Sequence, residues 1–194
     1  MMMRKNIFEL AKRIKAVIFD FDGVFTDNSV LEGAPFKGKF RSHYDGQGVS
    51  LLRAVGIKVA VITGEKDIHA ESVVGLVEKF NNLPSAKKPL EDGGWAPVTL
   101  FTGMGGAKKV EAAEQFLSKI GVSFEECAAM GDDLVDVPLL RKVAFPVAPA
   151  QAETIVKKIA LLVTKRPGGS GAIRDFVNFI LDARGIDPTT LSFN

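Results

Sequence analysis

The stretch AVIFDFDGVFTD, residues 16–27, decides the fold. It begins with four consecutive apolar residues, 16–19, which is typical of a strand buried on both faces of a parallel sheet. Two like charges, Asp20 and Asp22, end this run, and Gly23 follows them at once. Ligands of open α/β sheets bind beyond the carboxyl ends of the strands. The two carboxylates therefore predict a functional site at this edge of the sheet.

Short apolar runs alternate with helical patterns along the rest of the chain. The segments between the runs place apolar residues three and four positions apart, as helices do. This alternation predicts an α/β fold with a Rossmann-like core, in which helices flank a mostly parallel sheet. Strands are predicted at 16–19, 58–63, 97–103, 127–130, 143–147 and 160–164, and helices at 48–55, 71–80, 107–120 and 170–181.

The length of 194 residues predicts one domain over residues 1–194, since domains commonly hold about 100 to 200 residues. Residues 1–14 have the pattern of an amphipathic helix, which we expect to pack on the domain rather than lie on a membrane. Residues 28–42 predict a β-hairpin that projects from the sheet and is too short for a large cap domain. The Pro- and Gly-rich segment 81–106 predicts an irregular connection.

Composition excludes several classes of partner. Lys and Arg number 25 and Asp and Glu number 23, and no dense basic stripe is present, so we expect no nucleic-acid partner. Apolar runs are all shorter than the roughly 20 residues that a membrane span needs, which predicts no membrane partner. The single cysteine, Cys127, lies in an apolar stretch and predicts an inert buried thiol. Together these features predict a cytoplasmic protein.

A second acidic group follows another predicted strand. The segment GDDLVD, residues 131–136, offers Asp132, Asp133 and Asp136 directly after the apolar run 127–130. Carboxylates that converge from two strand ends repel one another unless a cation compensates them, and Mg²⁺ prefers such oxygen ligands. The segment therefore predicts a shared Mg²⁺ site, although Asp132 or Asp133 could also cap the helix that follows.

Two further residues add the chemistry of a phosphoryl site. Thr63, with Gly64 behind it, ends the predicted strand 58–63, and Lys109 begins the helix before residue 127. A hydroxyl and an ammonium group beside carboxylates and a metal suit a transferring phosphoryl group, which spreads negative charge over its oxygens. The neighbouring Lys108 is an alternative to Lys109, and one of the two is expected to be solvated.

These motifs, in this order, resemble those of the haloacid dehalogenase-like phosphohydrolases: DxDG, a Thr after a strand, a Lys, and GDxxxD. The segments DFDGVFTD, YDGQGVSLLRAVGIKVAVITGE, GDDLVDVPLL and GGSGAIRDF are similar to those of a small uncapped subgroup. That subgroup includes 3-deoxy-octulosonate 8-phosphate phosphatases and phosphatases of nonulosonate metabolism. The resemblance implies a small phosphorylated sugar acid as substrate and a homotetramer in which the hairpins of adjacent subunits pack together.

The resemblance also implies roles for the catalytic residues. Asp20 would attack phosphorus and form an aspartyl phosphate, and Asp22 would act as general acid and then as general base. Mg²⁺ would bind a carboxylate oxygen of Asp20, the backbone carbonyl of Asp22 and a carboxylate oxygen of Asp132. Thr63 would hydrogen-bond a phosphoryl oxygen, and Lys109 would neutralise charge on the phosphoryl group.

Other positions are expected to support or surround these residues. Gly23 would let the backbone turn closely beneath the phosphate, and Gly64, Asp133 and Asp136 would lie behind the groups that touch the ligand. The residues expected to contact the sugar part of the substrate are His43, Tyr44, Asp45, Gly46, Glu65 and Arg174.

Two positions depart from the octulosonate phosphatase pattern, which has arginines where this chain has Tyr44 and Glu65. An acidic residue at position 65 is instead similar to the nonulosonate branch. These changes leave two alternatives to a phosphatase. One is a noncatalytic oligomeric or regulatory domain linked to sugar-acid cytidylyltransfer, and the other is a phosphotransferase of the same superfamily.

Overall fold

The computed structural model describes residues 2–33 and 36–191. Its centre is a six-stranded parallel sheet in the order β5-β4-β1-β6-β7-β8. The strands are β1 (Ala16–Phe19), β4 (Lys58–Ile62), β5 (Thr99–Phe101), β6 (Cys127–Met130), β7 (Phe145–Ala148) and β8 (Leu162–Val163). The predicted α/β fold with a Rossmann-like core is confirmed, and the described residues contain no large cap.

Helices cover both faces of the sheet, because successive side chains of each strand point to opposite faces. Val17 and Phe19 of β1 belong to one apolar core, and Ala16 and Ile18 belong to the other. The first core is covered by α1 (Met2–Arg13), α2 (His43–Ala54), α3 (Glu71–Asn81) and α7 (Ala172–Ala183), and the second by α4 (Ala107–Ile120), α5 (Val137–Leu140) and α6 (Thr154–Ile159).

The segment after β1 leaves the sheet and returns to it. Strands β2 (Leu31–Gly33) and β3 (Phe36–Gly38) pair antiparallel as a separate two-stranded ribbon. An isolated bridge between Thr26 and Arg41 closes the base of this ribbon. Residues on both sides of the ribbon are thereby held next to the end of β1.

Helix α2 begins at His43, five residues before the start that its apolar periodicity predicts. Ser42 has extended backbone angles, and its hydroxyl accepts a hydrogen bond from the backbone N–H of Tyr44 at 3.1 Å. Such a cap satisfies one of the N–H groups that a helix leaves without an internal partner. The segment SHYDGQG is therefore mostly helical, which changes where its side chains point.

The segment 81–106 is more ordered than an irregular connection. It contains two single-turn 3₁₀ helices, Pro84–Ala86 and Leu90–Asp92, before β5 joins the sheet. Arg53 of α2 holds both ends of this segment's first part, because its guanidinium donates to the carbonyl of Ala96 at 2.9 Å and to that of Phe80, just before the segment, at 2.8 Å. The same guanidinium lies 5.3 Å from the ring centre of the buried Trp95.

The cysteine and the helix lengths bear on two further expectations. Cys127 is buried in β6, and burial raises the pKa of its thiol, which makes it an inert core residue. Among the described helices, none is both long and apolar enough to cross a membrane.

Replacement of Arg53 should test how firmly the 81–106 segment is held. Arg53→Met removes the side-chain hydrogen bonds to the carbonyls of Phe80 and Ala96 and the contact with Trp95. We expect the free energy of unfolding in urea to fall by about 3 kcal/mol. The exposed Arg141→Met is the matched control and should change it by less than about 0.5 kcal/mol. Equal effects of the two substitutions would contradict this account.

Candidate active site

The parallel register brings the ends of three strands together. Phe19, the last residue of β1, pairs with Val61 of β4 on one side and Met130 of β6 on the other. The residues that follow these strands therefore meet at one edge and form a cleft of about 200 Å³. Its walls are Asp20, Asp22, Asn28, Thr63, Gly64, Glu65, Lys109, Asp132, Asp133 and Val135.

A buried lysine, Lys109, lies at the floor of this cleft. The ammonium group of Lys109, whose side chain is 1% exposed, lies 2.7 Å from Asp20 Oδ1 and 2.5 Å from Asp136 Oδ1. Burial alone would lower the pKa of Lys109, but the charges of Asp20 and Asp136 and their hydrogen bonds outweigh burial and raise it. Lys109 therefore stays charged. Lys108, the alternative in the sequence, is exposed.

Asp136 holds the acidic loop together. One of its oxygens pairs with Lys109, and the other accepts hydrogen bonds from the backbone N–H groups of Asp132 at 3.0 Å and Asp133 at 3.2 Å. The Asp133 carboxylate accepts from the backbone N–H of Leu134 at 2.7 Å and so caps the following turn. The oxygens of Asp136 are thus occupied within the protein.

Asp20 and Asp132 are the carboxylates best placed to hold a cation. Oxygens of Asp20, Asp132 and Asp136 lie within 4.8 Å of one another. Burial first, and then the charge of Asp136, raise the pKa of Asp20 and of Asp132 to about 7 each. Two buried carboxylates that resist ionisation, with oxygen atoms close together, match the donor set of a hard divalent cation.

Gly23 fits this arrangement for a different reason from the one the sequence indicates. Its φ is +72°, and a β-carbon there would lie only 1.9 Å from Asp132 Oδ2. The space over Gly23 is thus filled by the Asp132 carboxylate, not left open beneath a phosphate. Gly131 has the same role for Asp136, whose carboxyl carbon would lie 2.4 Å from an added β-carbon.

Thr63 is almost completely buried at the end of β4, yet it lines the cleft. Its hydroxyl accepts the backbone N–H of Glu65 at 3.1 Å, which leaves its own proton able to point at a ligand. The Thr63–Gly64–Glu65 turn is held to the next loop by backbone hydrogen bonds from Met104 to Thr63 and from Gly103 to Glu65.

Comparison with known proteins identifies the family. The sequence profile of the haloacid dehalogenase-like hydrolases matches residues 94–174. A 3-deoxy-D-manno-octulosonate 8-phosphate phosphatase of Haemophilus influenzae is 31% identical over 175 residues, which cover 90% of this chain and 86% of that protein. The chain belongs to the haloacid dehalogenase-like hydrolase family.

Solved structures of similar proteins have the same fold. The 3-deoxy-D-manno-octulosonate 8-phosphate phosphatase of Yersinia pestis matches with a TM-score of 0.79 and 27% identity, over 97% of this chain and 91% of that one. The cobalt-bound form of the corresponding H. influenzae phosphatase matches with a TM-score of 0.72 and 29% identity, over 91% and 92%. The family resemblance predicted from the motifs is confirmed.

The structure shows a lysine next to the cleft residues Asp22 and Glu65 that the sequence did not single out. Lys39, one residue after β3, places its ammonium 2.7 Å from Asp22 Oδ1 and 2.7 Å from Glu65 Oε1, with its side chain 4% exposed. Lys37 and Lys39 have similar neighbours in FKGKF, so no local pattern separates them. Lys39 reaches the cleft because the bridge between Thr26 and Arg41 brings the end of the ribbon back to the end of β1.

Gln151, also not singled out by the sequence, holds the DxDG loop through its side chain. The side chain of Gln151 donates to the Gly23 carbonyl at 2.6 Å and accepts from the Gly168 N–H at 2.8 Å. A β-carbon on Gly168 would lie 1.9 Å from the same carbonyl oxygen. The Gly-rich segment near the C-terminus therefore packs directly against the loop that carries Asp20 and Asp22.

Most of the predicted sugar contacts lie away from the cleft. Of the six, only Glu65 lines it, while His43 and Gly46 line a separate cavity of about 140 Å³. Tyr44 is 61% exposed and lies 5.7 Å from the Arg166 guanidinium. Arg174 donates to Asn178 at 3.0 Å and to Gln47 at 3.5 Å. Within this one chain, these residues do not surround Asp20 and Asp22.

Asp45, which the sequence predicts as a contact of the sugar, has no exposed surface in this chain. Its carboxylate accepts the backbone N–H groups of Gly171 at 3.0 Å and Arg174 at 3.1 Å, at the start of α7. Asp45 thus caps α7 from α2. Burial raises the pKa of Asp45 to about 6, although these two hydrogen bonds act to lower it.

This pKa gives a stability test with a defined sign. Since the folded pKa of Asp45 lies above its ordinary value of 3.8, its stabilising contribution is fully present below about pH 4 and is lost as pH rises through 6. Between pH 7 and pH 5, the wild-type protein should gain about 1 to 2 kcal/mol of unfolding free energy relative to Asp45→Asn. Urea titrations at both pH values measure this difference, and the exposed Asp92→Asn should follow wild type. A difference that is independent of pH would refute the assignment.

Proposed function

We propose that the protein is a Mg²⁺-dependent phosphomonoesterase that acts on a phosphorylated sugar acid through an aspartyl-phosphate intermediate. The observation that carries this proposal is the ion pair of Asp20 with the buried Lys109. A second carboxylate, Asp22, lies in the same cleft and pairs with a different lysine, Lys39. A carboxylate nucleophile paired with a buried ammonium group, next to an independent acid–base group, is what phosphoryl transfer in two steps requires.

In the first step, an oxygen of Asp20 attacks phosphorus while the bond from phosphorus to the leaving alcohol breaks. Asp22 donates a proton to that alcohol oxygen. In the second step, Asp22 takes a proton from water, the water oxygen attacks phosphorus, and Asp20 is released as a carboxylate together with inorganic phosphate. Lys109 and the Thr63 hydroxyl stabilise the charge that develops on the phosphoryl oxygens.

Mg²⁺ would be held by the carboxylates of Asp20 and Asp132 and by the backbone carbonyl of Asp22. When bound, it supplies positive charge that lets both buried carboxylates ionise and lets a phosphoryl anion approach them. The raised pKa values of Asp20 and Asp132 support such a cation, since each carboxylate lacks enough compensating charge within the protein. The cobalt-bound H. influenzae relative supports a divalent ion.

The substrate class follows from the relatives and from the size of the cleft. The H. influenzae and Y. pestis relatives are named for 3-deoxy-D-manno-octulosonate 8-phosphate, so we propose a sugar acid phosphate of this type or a nonulosonate 9-phosphate. A cleft of about 200 Å³ suits the phosphoryl end of such a molecule and leaves its sugar part outside. Glu65 lines the cleft, and an acidic residue at this position after Thr63 and Gly64 is similar to the nonulosonate branch, so it favours a nonulosonate 9-phosphate.

An oligomer would supply walls for the rest of the substrate. Val30 and Leu31, beside and in the ribbon, are 43% and 55% exposed and offer an apolar contact to the ribbon of a second subunit. We therefore propose a homotetramer in which ribbons of adjacent subunits pack together and border each cleft. The buried thiol Cys127 fits the reducing cytoplasm, which is the location we propose.

The two alternatives have less support. A phosphotransferase needs its aspartyl phosphate shielded from water, and the described residues contain no large cap that could close over the cleft. A noncatalytic domain has no need for a buried, fully paired Lys109 or for the close approach of Asp132 to Gly23.

Phosphate release is the direct test. We expect release that requires Mg²⁺ from one member of a panel of octulosonate 8-phosphate, nonulosonate 9-phosphates and hexose phosphates. Asp20→Asn should lower kcat by about 1,000-fold or more, because it removes the nucleophile. Chelation of the metal should abolish release, and added Mg²⁺ should restore it.

The exposed Asp92→Asn is the control and should match wild type. Release that persists in Asp20→Asn would assign the activity to another residue or to a contaminant. No release from any substrate by folded protein with Mg²⁺ would support the noncatalytic domain instead.

A further inference from the structure

We propose that Lys39 is a positioning residue that fixes the orientation of the Asp22 carboxylate, so that one Asp22 oxygen is held by the protein and the other faces the leaving alcohol. This inference rests on the proposed phosphatase function. It assigns a role to the base of the β2–β3 ribbon that differs from packing between subunits.

The ammonium of Lys39 has fixed neighbours on three sides. Asp22 Oδ1 and Glu65 Oε1 each lie at 2.7 Å, and the ring centre of Phe21 lies at 5.3 Å. The Lys39 side chain is only 4% exposed, so these ion pairs are shielded from water. A buried, charged group between two carboxylates has little freedom to move.

The consequence for Asp22 follows from carboxylate geometry. Its Oδ1 atom accepts hydrogen bonds from Lys39 at 2.7 Å and from the Thr26 hydroxyl at 3.3 Å. Because the carboxylate is planar, fixing Oδ1 also fixes the direction of Oδ2. Asp22 remains 28% exposed and lines the cleft. Oδ2 is therefore the atom we assign to proton transfer with the leaving oxygen and with water.

Glu65 has a part in the same arrangement. Its carboxylate lies 2.7 Å from the Lys39 ammonium, and it belongs to the turn that also contains Thr63. Lys39 thereby joins the loop after β1 to the loop after β4. Glu65 acts here as a holder of Lys39, a role distinct from contact with the sugar.

The orientation of a general acid matters most when the leaving group needs a proton. An alkyl oxygen leaves poorly without one, whereas p-nitrophenolate leaves readily as an anion. The ratio kcat/KM covers only the steps up to release of the leaving group, so it isolates the donation of this proton from the later attack of water.

The experiment compares Lys39→Met, Lys39→Arg and the exposed Lys108→Met with wild type, using the sugar phosphate from the panel and p-nitrophenyl phosphate. Lys39→Met should lower kcat/KM for the sugar phosphate about 100-fold and for p-nitrophenyl phosphate less than about 10-fold. Lys39→Arg keeps the charge and should recover part of the loss. Lys108→Met should have no effect on either substrate.

Several results would overturn the proposal. Equal losses on the two substrates would give Lys39 a merely structural or general electrostatic role. A higher KM for the sugar phosphate with an unchanged kcat would make it a substrate-binding residue. No change on either substrate would make its contacts irrelevant to catalysis. Wild-type protein that releases phosphate from neither substrate would reject the proposed function before any variant is compared, and the role of Lys39 would fall with it.

Glu65→Gln provides a second route if Lys39→Met does not fold. It weakens the hold on Lys39 without altering Asp22, so it should lower kcat for the sugar phosphate about 10-fold and affect p-nitrophenyl phosphate less. A higher KM for the sugar phosphate with an unchanged kcat would instead make Glu65 a contact of the sugar and would contradict the proposal. Circular dichroism verifies the fold of each variant. A Glu65→Gln variant with equal losses on both substrates would contradict the proposal as well.

Discussion

The site depends on one buried cation. Lys109 has almost no exposed surface, and it is stable there only because Asp20 and Asp136 meet it from two loops. Loss of one partner from such a buried pair commonly costs about 3 to 5 kcal/mol, because the other charge stays buried and uncompensated. The contact therefore ties the helix α4 to the ends of β1 and β6. It also sets the charge that the nucleophile experiences.

Close approach of backbone and carboxylate is the second constraint. Asp132 lies over Gly23, and Asp136 lies against Gly131, at distances that a β-carbon would block. Two acidic groups can come this near only where glycine leaves room and where Lys109 and backbone N–H groups compensate their charge. The raised pKa values of Asp20 and Asp132 show that the compensation within the protein is incomplete, and this incompleteness is what makes the loops a site for a cation.

The sequence predicts the sheet and the carboxylates well because both depend on local order. Asp20 and Thr63 directly follow apolar strands, and parallel strands align their carboxyl ends, so position in the chain determines position in space. Lys39 could not be found in this way, since its place depends on how the ribbon returns to β1. The hydrogen bonds of Asp45 could not be found in this way either, because a capped helix begins at His43 and turns this side chain toward α7. Contacts that depend on where an element starts, or on a distant partner, leave no local pattern.

The Gly-rich segment around Gly168 contributes no reacting group, yet it lies against the carbonyl of Gly23, and Gln151 bridges the two. The Asp45 carboxylate likewise accepts hydrogen bonds at the start of α7, which lies far along the chain. Parts of the chain that are far apart in sequence are therefore coupled at one loop. Loss of residues 168–174 would expose the back of the loop that carries Asp20 and Asp22, although both carboxylates would still be present.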